Sequence, residues 1–343
     1  MSSPLPVAFV GLQFGQRVLE QLRRSPAAAR WRLAAVCDLD ATKAVAAGKR
    51  WGVPAHASLD AVLANPAIRV VALFSGPAGR AGLIEQVIRA GKDVMTTKPF
   101  ETDPVAARAV FTEAERLGRT IFLNSPEPET PGYLEQVRRW QEEFALGRPI
   151  ACRAETFVSY REQPDGRWLD DPELCPAAPI FRIGIYLIND LVRVFGRVNA
   201  VQVLANRIFT GRPTADNAQL SLRFANGALG TIAASFCIDN GQHYANSLWL
   251  HYERGSITRN AQPVAYGQAE QASRLQLAAA ANQVVQLRTW ESPETAGTYP
   301  WDALADVVSG VRQLSPPVDL TVHGIEILAA MARAERSGRT EAV

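Results

Sequence analysis

Val94-Met95-Thr96-Thr97-Lys98-Pro99-Phe100 puts a short apolar run, two hydroxyls and one lysine at the expected end of a parallel strand. In open α/β sheets, ligands bind outside the carboxyl ends of the strands, so a residue leaving that edge faces the ligand. Pro99 keeps Lys98 out of the helical region, and the chain there must extend or turn. A Lys-Pro pair on its own is an ordinary surface loop. Its surroundings give it meaning.

Working outward, the same unit repeats on both sides. Upstream lie a strand at 69–74, a turn at Ser75–Arg80, and a helix with Leu83, Val87 and Ala90 on one face, stopped by Gly91. Downstream, Asp103-Pro104 supplies a capping residue and a first-position proline to a helix running to Gly118, followed by a strand at 120–124. Further upstream are a short helix at 59–64 and a strand at 32–37 ending at Asp38. The strand at 6–10 runs into Gly11-Leu12-Gln13-Phe14-Gly15-Gln16 and a helix with Phe14, Val18 and Leu22 on one face. Alternating strands and helices predict a Rossmann-type parallel sheet covered on both faces, forming a dinucleotide-binding domain over residues 1–124.

The nucleotide is expected across Gly11, Gln13, Phe14 and Gly15, then Asp38, then Ser75, Gly76 and Pro77, because all three groups follow strands on one edge. The glycine fingerprint is incomplete. Counting from Gly11, the second and third glycine positions hold Gln13 and Gln16, and Gly15 falls one place early. Gln13 must then point away from the pyrophosphate or bond to it. Asp38 is read as the ribose ligand, whose charge repels a 2′-phosphate and favours NAD, with NADP still possible. Asp40 is read as the cap of the helix starting near Thr42.

Beyond residue 124 the pattern changes. Pro126, Pro128 and Pro131 form a connection, a helix follows at 133–145, and a long strand at 149–160. Residues 161–179 read as a polar, proline-rich loop over a cleft. Strands at 198–206, 219–225 and 228–236 follow, the last two joined by the hairpin signal Asn226-Gly227, and a second hairpin turns at Arg254-Gly255. Residues 125–343 are therefore expected to form an α+β substrate-binding and oligomerisation domain around a large, mainly antiparallel open sheet. One helix, 180–195, carries an apolar face of Ile183, Leu187 and Leu191 opposite a polar stripe of Arg182, Tyr186, Asn189, Asp190 and Arg193. Such a stripe is ordinarily a solvated face.

Composition excludes several classes. A net charge of +2 gives no footprint for nucleic acid or anionic membrane, and no apolar run reaches spanning length. The opening Met-Ser-Ser-Pro-Leu-Pro has neither the basic region nor the apolar core of a signal peptide, so a cytoplasmic location is expected. Cys37, Cys152, Cys175 and Cys237 show no metal-ligand spacing and read as reduced thiols; no metal is expected.

Taken together, these residues resemble the glucose–fructose oxidoreductase and inositol dehydrogenase family (Gfo/Idh/MocA) over nearly the whole chain. The likeness rests on the opening strand-turn-helix, Val36-Cys37-Asp38, Ala90-Gly91-Lys92-Asp93-Val94 and Lys98-Pro99. Gly184-Ile-Tyr186-Leu-Ile-Asn189, Gly297-Thr-Tyr-Pro300-Trp301 and a closing helix with Glu326 and Ser337-Gly338 extend it. The resemblance implies a nicotinamide cofactor, a sugar, cyclitol or sugar-acid-like polyol as substrate, and a homodimer or homotetramer. It implies that Lys98, also close to the cofactor, hydrogen-bonds the reacting hydroxyl and that Tyr186 takes its proton, a neighbouring ammonium favouring phenolate. Arg182 and Asn189 would contact substrate. The histidines (His56, His243, His251 and His323) match no catalytic position and read as structural or surface.

The departures are Thr97 for glutamate, Arg80 for a common histidine, Arg182 for aspartate, Ala177-Ala178-Pro179 for a glycine-rich approach, and Gln13 for glycine. An arginine beside Lys98 would suit an anionic substrate. Such an arginine, with the substitutions at Gln13, Thr97 and Arg182, equally fits a second reading, a lapsed enzyme that binds a nucleotide or sugar. A third is hydrolysis or elimination with NAD as an internal redox relay.

Overall fold

The computed structural model describes residues 3–239, 244–260, 273–281, 284–293 and 298–343. His243 and Gly297 lie outside them. The chain divides into two compact units, Met1–Pro128 with Tyr299–Val318, and Glu129–Thr298 with Asp319–Val343.

In the first unit the elements alternate: β1 (Leu5–Val10), α1 (Leu12–Arg24), β2 (Trp31–Cys37), α2 (Ala41–Trp51), β3 (Ala55–His56), α3 (Leu59–Leu63), β4 (Val70–Leu73), α4 (Arg80–Arg89), β5 (Asp93–Thr96), α5 (Pro104–Arg116) and β6 (Ile121–Leu123). The six strands are parallel in the order β3-β2-β1-β4-β5-β6. Every residue of β4, β5 and β6 is buried, as a sheet covered on both faces requires. Val10 lies level with Cys37 and Leu73, and Thr96 with Leu123, so the strands end together. Strand order reverses between β1 and β4, the switch point at which such sheets bind ligands.

The segment 299–318, assigned by the sequence reading to the second domain, belongs to this unit. Trp301 explains why. It is 5% exposed, with ring centroids 5.4 Å from Trp31 and 5.8 Å from Phe9, and it brings Leu304 and Ala305 of α8 (Trp301–Val308) into the same core.

The second unit holds α6 (Gly132–Glu143), β7 (Pro149–Phe157), α7 (Ile185–Phe195), β8 (Val198–Asn206), β9 (Asn217–Phe224), β10 (Leu229–Ser235), β11 (Ala245–Tyr252), β12 (Gly255–Arg259), β13 (Ser273–Ala281), β14 (Val284–Ser292), α9 (Val318–Ser337, in this unit from Asp319) and β15 (Glu341–Ala342). Its nine strands run β14-β13-β12-β11-β7-β10-β9-β8-β15, and only β7 and β10 pair in parallel. Residues alternate in and out along β9, with Ala218, Leu220, Leu222 and Phe224 buried. This inner face packs against Val137 and Trp140 of α6, Leu187 and Leu191 of α7, and Leu328 and Met331 of α9. On the other face, Leu287, Ala278, Ser256, His251, Ala151 and Leu229 form one row from β14 to β10. Strands β13 and β14 were not anticipated. Ala278–Ala281 is weak strand sequence, although buried Leu275 and Leu277 do alternate with exposed Arg274 and Gln276.

Candidate active site

The carboxyl edge of the parallel sheet gathers Gly11, Asp38, Ser75, Lys98 and Asn124, each one or two residues past its strand. Gly11 has φ +84°, and a Cβ there would meet the Phe74 carbonyl oxygen at 2.6 Å, so this turn demands glycine. Gly15 serves packing instead: a Cβ would lie 2.9 Å from the Phe74 ring. The first intrahelical bond of α1 is Gly15 N–H to the Gly11 carbonyl, at 3.1 Å, which leaves the amides of Gln13 and Phe14 ahead of the ladder. No acidic residue occupies the first turn of α1. These features fit a pyrophosphate. Gln13 is exposed.

Asp38 does more than the sequence suggested. Its Oδ2 accepts the Leu12 N–H at 2.7 Å, and its Oδ1 accepts the Asp40 N–H at 3.0 Å. The tip of β2 is thereby tied to the start of α1, and a carboxylate with about four acceptor sites retains capacity for ribose hydroxyls. Asp40 caps α2 through the Thr42 and Lys43 amides.

Lys98 stands on a turn with a cis Lys98–Pro99 peptide. Its backbone N–H donates to Asn124 Oδ1 at 3.2 Å. That oxygen also accepts from the Thr97 hydroxyl at 3.2 Å, and Thr97 Oγ1 accepts from Tyr299 at 2.9 Å. Asn124 and Tyr299 were missed as site residues. A strand-ending asparagine on this edge was the available signal for the first, and nothing in the sequence links residue 299 to residue 97.

Arg80 is buried, at 2% exposure, and its guanidinium donates to the carbonyls of Ser75, Thr97, Pro99 and Phe100. Burial pushes its pKa down to about 10, so it stays charged at neutral pH. Glu101, also buried, accepts the Gly79 and Ala81 amides at 3.0 and 2.8 Å and caps α4.

In the second unit, the predicted helix 180–195 begins as one π-helical turn, Ile180–Gly184, before α7. Its polar stripe is not a solvated face, since none of the five residues is exposed. Arg182 forks onto Glu162 at 2.7 and 2.8 Å, and its guanidinium lies 4.6 Å from the Phe236 ring and 5.1 Å from the Tyr160 ring. Burial works against the Glu162 carboxylate, but Arg182 and Arg212 outweigh it and hold the pKa below the usual range. Asp190 accepts from the Tyr133 hydroxyl at 2.9 Å, and Arg259 lies 3.9 Å over the Tyr133 ring. Asn189, expected to face substrate, is buried against the closing helix, where a Cβ on Gly324 would lie 2.8 Å from its Oδ1. Tyr186 is half-buried, one turn beyond Arg182.

Both arginines that suggested an anionic substrate have partners within the protein. Arg80 is spent on backbone carbonyls, and the charge of Arg182 is matched by Glu162. Among the remaining calls, His323 is buried, with Nε2 accepting the Val198 N–H at 3.0 Å, and His251 is exposed. The four cysteines are free, and burial pushes Cys37 and Cys237 up to about 11 and Cys152 and Cys175 up to about 12.

Residues 5–125 match the family model described as an oxidoreductase family, NAD-binding Rossmann fold, and residues 134–258 match the GFO/IDH/MocA C-terminal domain. An oxidoreductase of Schizosaccharomyces pombe is 26% identical over 152 residues, covering 41% of this chain and 38% of that protein. D-apiose dehydrogenase of Paraburkholderia graminis is 23% identical over 207 residues, covering 60% of this chain and 54% of that protein. The chain thus spans about half the length, or less, of these relatives. The crystal structure of GenD2 from gentamicin A biosynthesis, in complex with NAD, shares the fold at a TM-score of 0.76 and 21% identity, covering 100% of this chain and 97% of that one. The parallel sheet with its glycine turn, the large open sheet behind α7 and the two matched models together make this chain a member of the Gfo/Idh/MocA oxidoreductase family, with an NAD-binding Rossmann fold in its first unit.

Proposed function

We propose that the protein transfers hydride between NAD and a hydroxyl-bearing carbon of a sugar- or cyclitol-like polyol. The observation that carries this reading is the placement of Lys98. It stands on a doubly anchored turn, on the same edge as the Gly11 turn and Asp38. Bound NAD supplies the hydride acceptor or donor. Lys98 hydrogen-bonds the reacting oxygen and favours its deprotonated form, and Tyr186 takes or returns the proton. With its charge matched by Glu162, Arg182 suits the hydroxyls of a neutral polyol better than a carboxylate, and Asn189 supports the helix carrying Tyr186. The name of D-apiose dehydrogenase points to the same substrate class.

Two further parts belong to this reading. The uncovered row of the nine-stranded sheet, with Leu229 and Leu287 at 59% and 70% exposure, supports a homodimer or homotetramer built on that face. Free, unreactive cysteines support a cytoplasmic location, and among the described residues no helix is long and apolar enough to cross a membrane.

Calorimetric titration with NADH and then NADPH tests the proposal. NADH should bind more tightly than NADPH, and Asp38→Ala should weaken NADH about tenfold or more, the worth of one or two hydrogen bonds, while narrowing the gap to NADPH. An unchanged preference would remove the ribose role. Failure of the wild-type protein to bind either cofactor would leave the lapsed-enzyme reading.

A further inference from the structure

The sequence set two departures side by side, Arg80 where a histidine is common and Thr97 where glutamate is usual, and both counted toward a lapsed catalyst. The structure joins them. Arg80 Nη1 lies 2.6 Å from the Thr97 carbonyl oxygen, 2.5 Å from that of Pro99 and 3.2 Å from that of Phe100, while Nη2 reaches the Ser75 carbonyl. These oxygens bracket Lys98 in sequence on both sides and tie its turn to the Ser75–Pro77 loop. Four carbonyls converging in a buried place need a cation with spread donors, which a planar guanidinium provides and a compact ammonium does not. The Thr97 side chain completes the frame, because its hydroxyl, bonded by Tyr299, reaches the same Asn124 oxygen that accepts the Lys98 amide. Glu101 returns the favour by capping the helix that begins with Arg80.

We propose that Arg80 is a positioning residue for Lys98: its fork, with the Thr97 hydroxyl, latches the turn that carries the lysine to the sheet edge beside Ser75. The two departures are then one compensated device and not marks of decay. This rests on the reading of Lys98 given above.

Lysine labelling tests the latch without a substrate. Four of the 36 basic side chains are lysines, so reductive ¹³C-methylation labels only Lys43, Lys49, Lys92 and Lys98 besides the amino terminus, and Lys98→Arg assigns its signal. In the cofactor-free protein, the Lys98 signal should stand apart from those of Lys43 and Lys49, which are exposed on α2. In Arg80→Met it should merge with them, and the Lys98 amide should exchange about a hundredfold faster while the Val71 and Val94 amides keep their protection. Arg80→Lys should restore part of both effects, and it carries the same readouts if Arg80→Met does not fold. The proposal is overturned if the wild-type Lys98 signal already coincides with Lys43 and Lys49, or if a folded Arg80 variant leaves Lys98 unchanged. It is equally overturned if Lys98, Val71 and Val94 lose protection together, which marks a merely structural arginine. NADH titration of the same samples separates the two readings: wild-type protein that ignores NADH removes the catalytic role of the turn and leaves the latch result standing.

Discussion

Asp190 shows how one residue can change meaning on folding. In sequence it belongs to a polar helix stripe. In the structure it is 8% exposed, accepts from Tyr133, and its pKa is pushed up to about 6 by burial, with Arg259 and Tyr133 offsetting part of the cost. A carboxyl whose folded pKa lies above its unfolded value holds its proton longer in the native state, so stability falls as pH rises through that window. The loss runs from about pH 4 to about pH 6 and amounts to about 3 kcal/mol for a shift of this size. Asp190→Asn can still accept from Tyr133 and does not titrate. The stability of the wild type relative to Asp190→Asn, from denaturant unfolding, should therefore fall by about 3 kcal/mol between pH 4 and pH 7. A pH-independent difference would show that Asp190 ionises normally.

At the scale of elements, the polar loop 161–179 was legible as a loop, but not as an ordered one. Arg212, with a side chain 7% exposed, pairs with Glu162 at 3.0 Å, Asp165 at 3.1 Å and Asp170 at 2.5 Å, and Glu162 passes the link on to Arg182. Asp216 fastens the neighbouring segment through the amides of Ile208, Phe209 and Thr210. Removing one member of a partly buried ion cluster leaves the others uncompensated, at less than the cost in a dry interior because solvent screens the carboxylates. Arg212→Met should lower stability by about 1–3 kcal/mol. Limited proteolysis should then cut first within 161–171 and 207–216. A cut pattern matching the wild type would mean that the loop is held by something else.

At the scale of the molecule, one linear boundary does not describe the chain. Residues 299–318 pack with the first unit because Trp301 fills a gap lined by Phe9 and Trp31. Trp301→Ala should cost about 3–5 kcal/mol, the usual price of emptying an aromatic core site. The thermal transition of the first unit should move down while the core of the second, followed by amide exchange in β9 and β10, keeps its protection. Equal loss in both units would contradict the division. The open sheet row gives the second molecular prediction. Leu229→Glu with Leu287→Glu should shift the light-scattering mass toward a monomer without unfolding the sheet, whereas an unchanged mass would remove this face as the oligomer contact.

Local periodicity by itself determined the alternating strands and helices and the sheet edge carrying Gly11, Asp38, Ser75 and Lys98, whereas Tyr186 was named only by the family resemblance. Such features repeat every few residues and are set by short-range sterics and burial. Tertiary structure alone decided what the charged side chains do. Arg80, Arg182 and Arg212 read alike in sequence, yet one gathers backbone carbonyls, one matches a single glutamate and one closes an ion cluster. Their partners lie 5 to 50 residues away along the chain. A charge takes its role from the groups folding brings around it, and no local pattern records them.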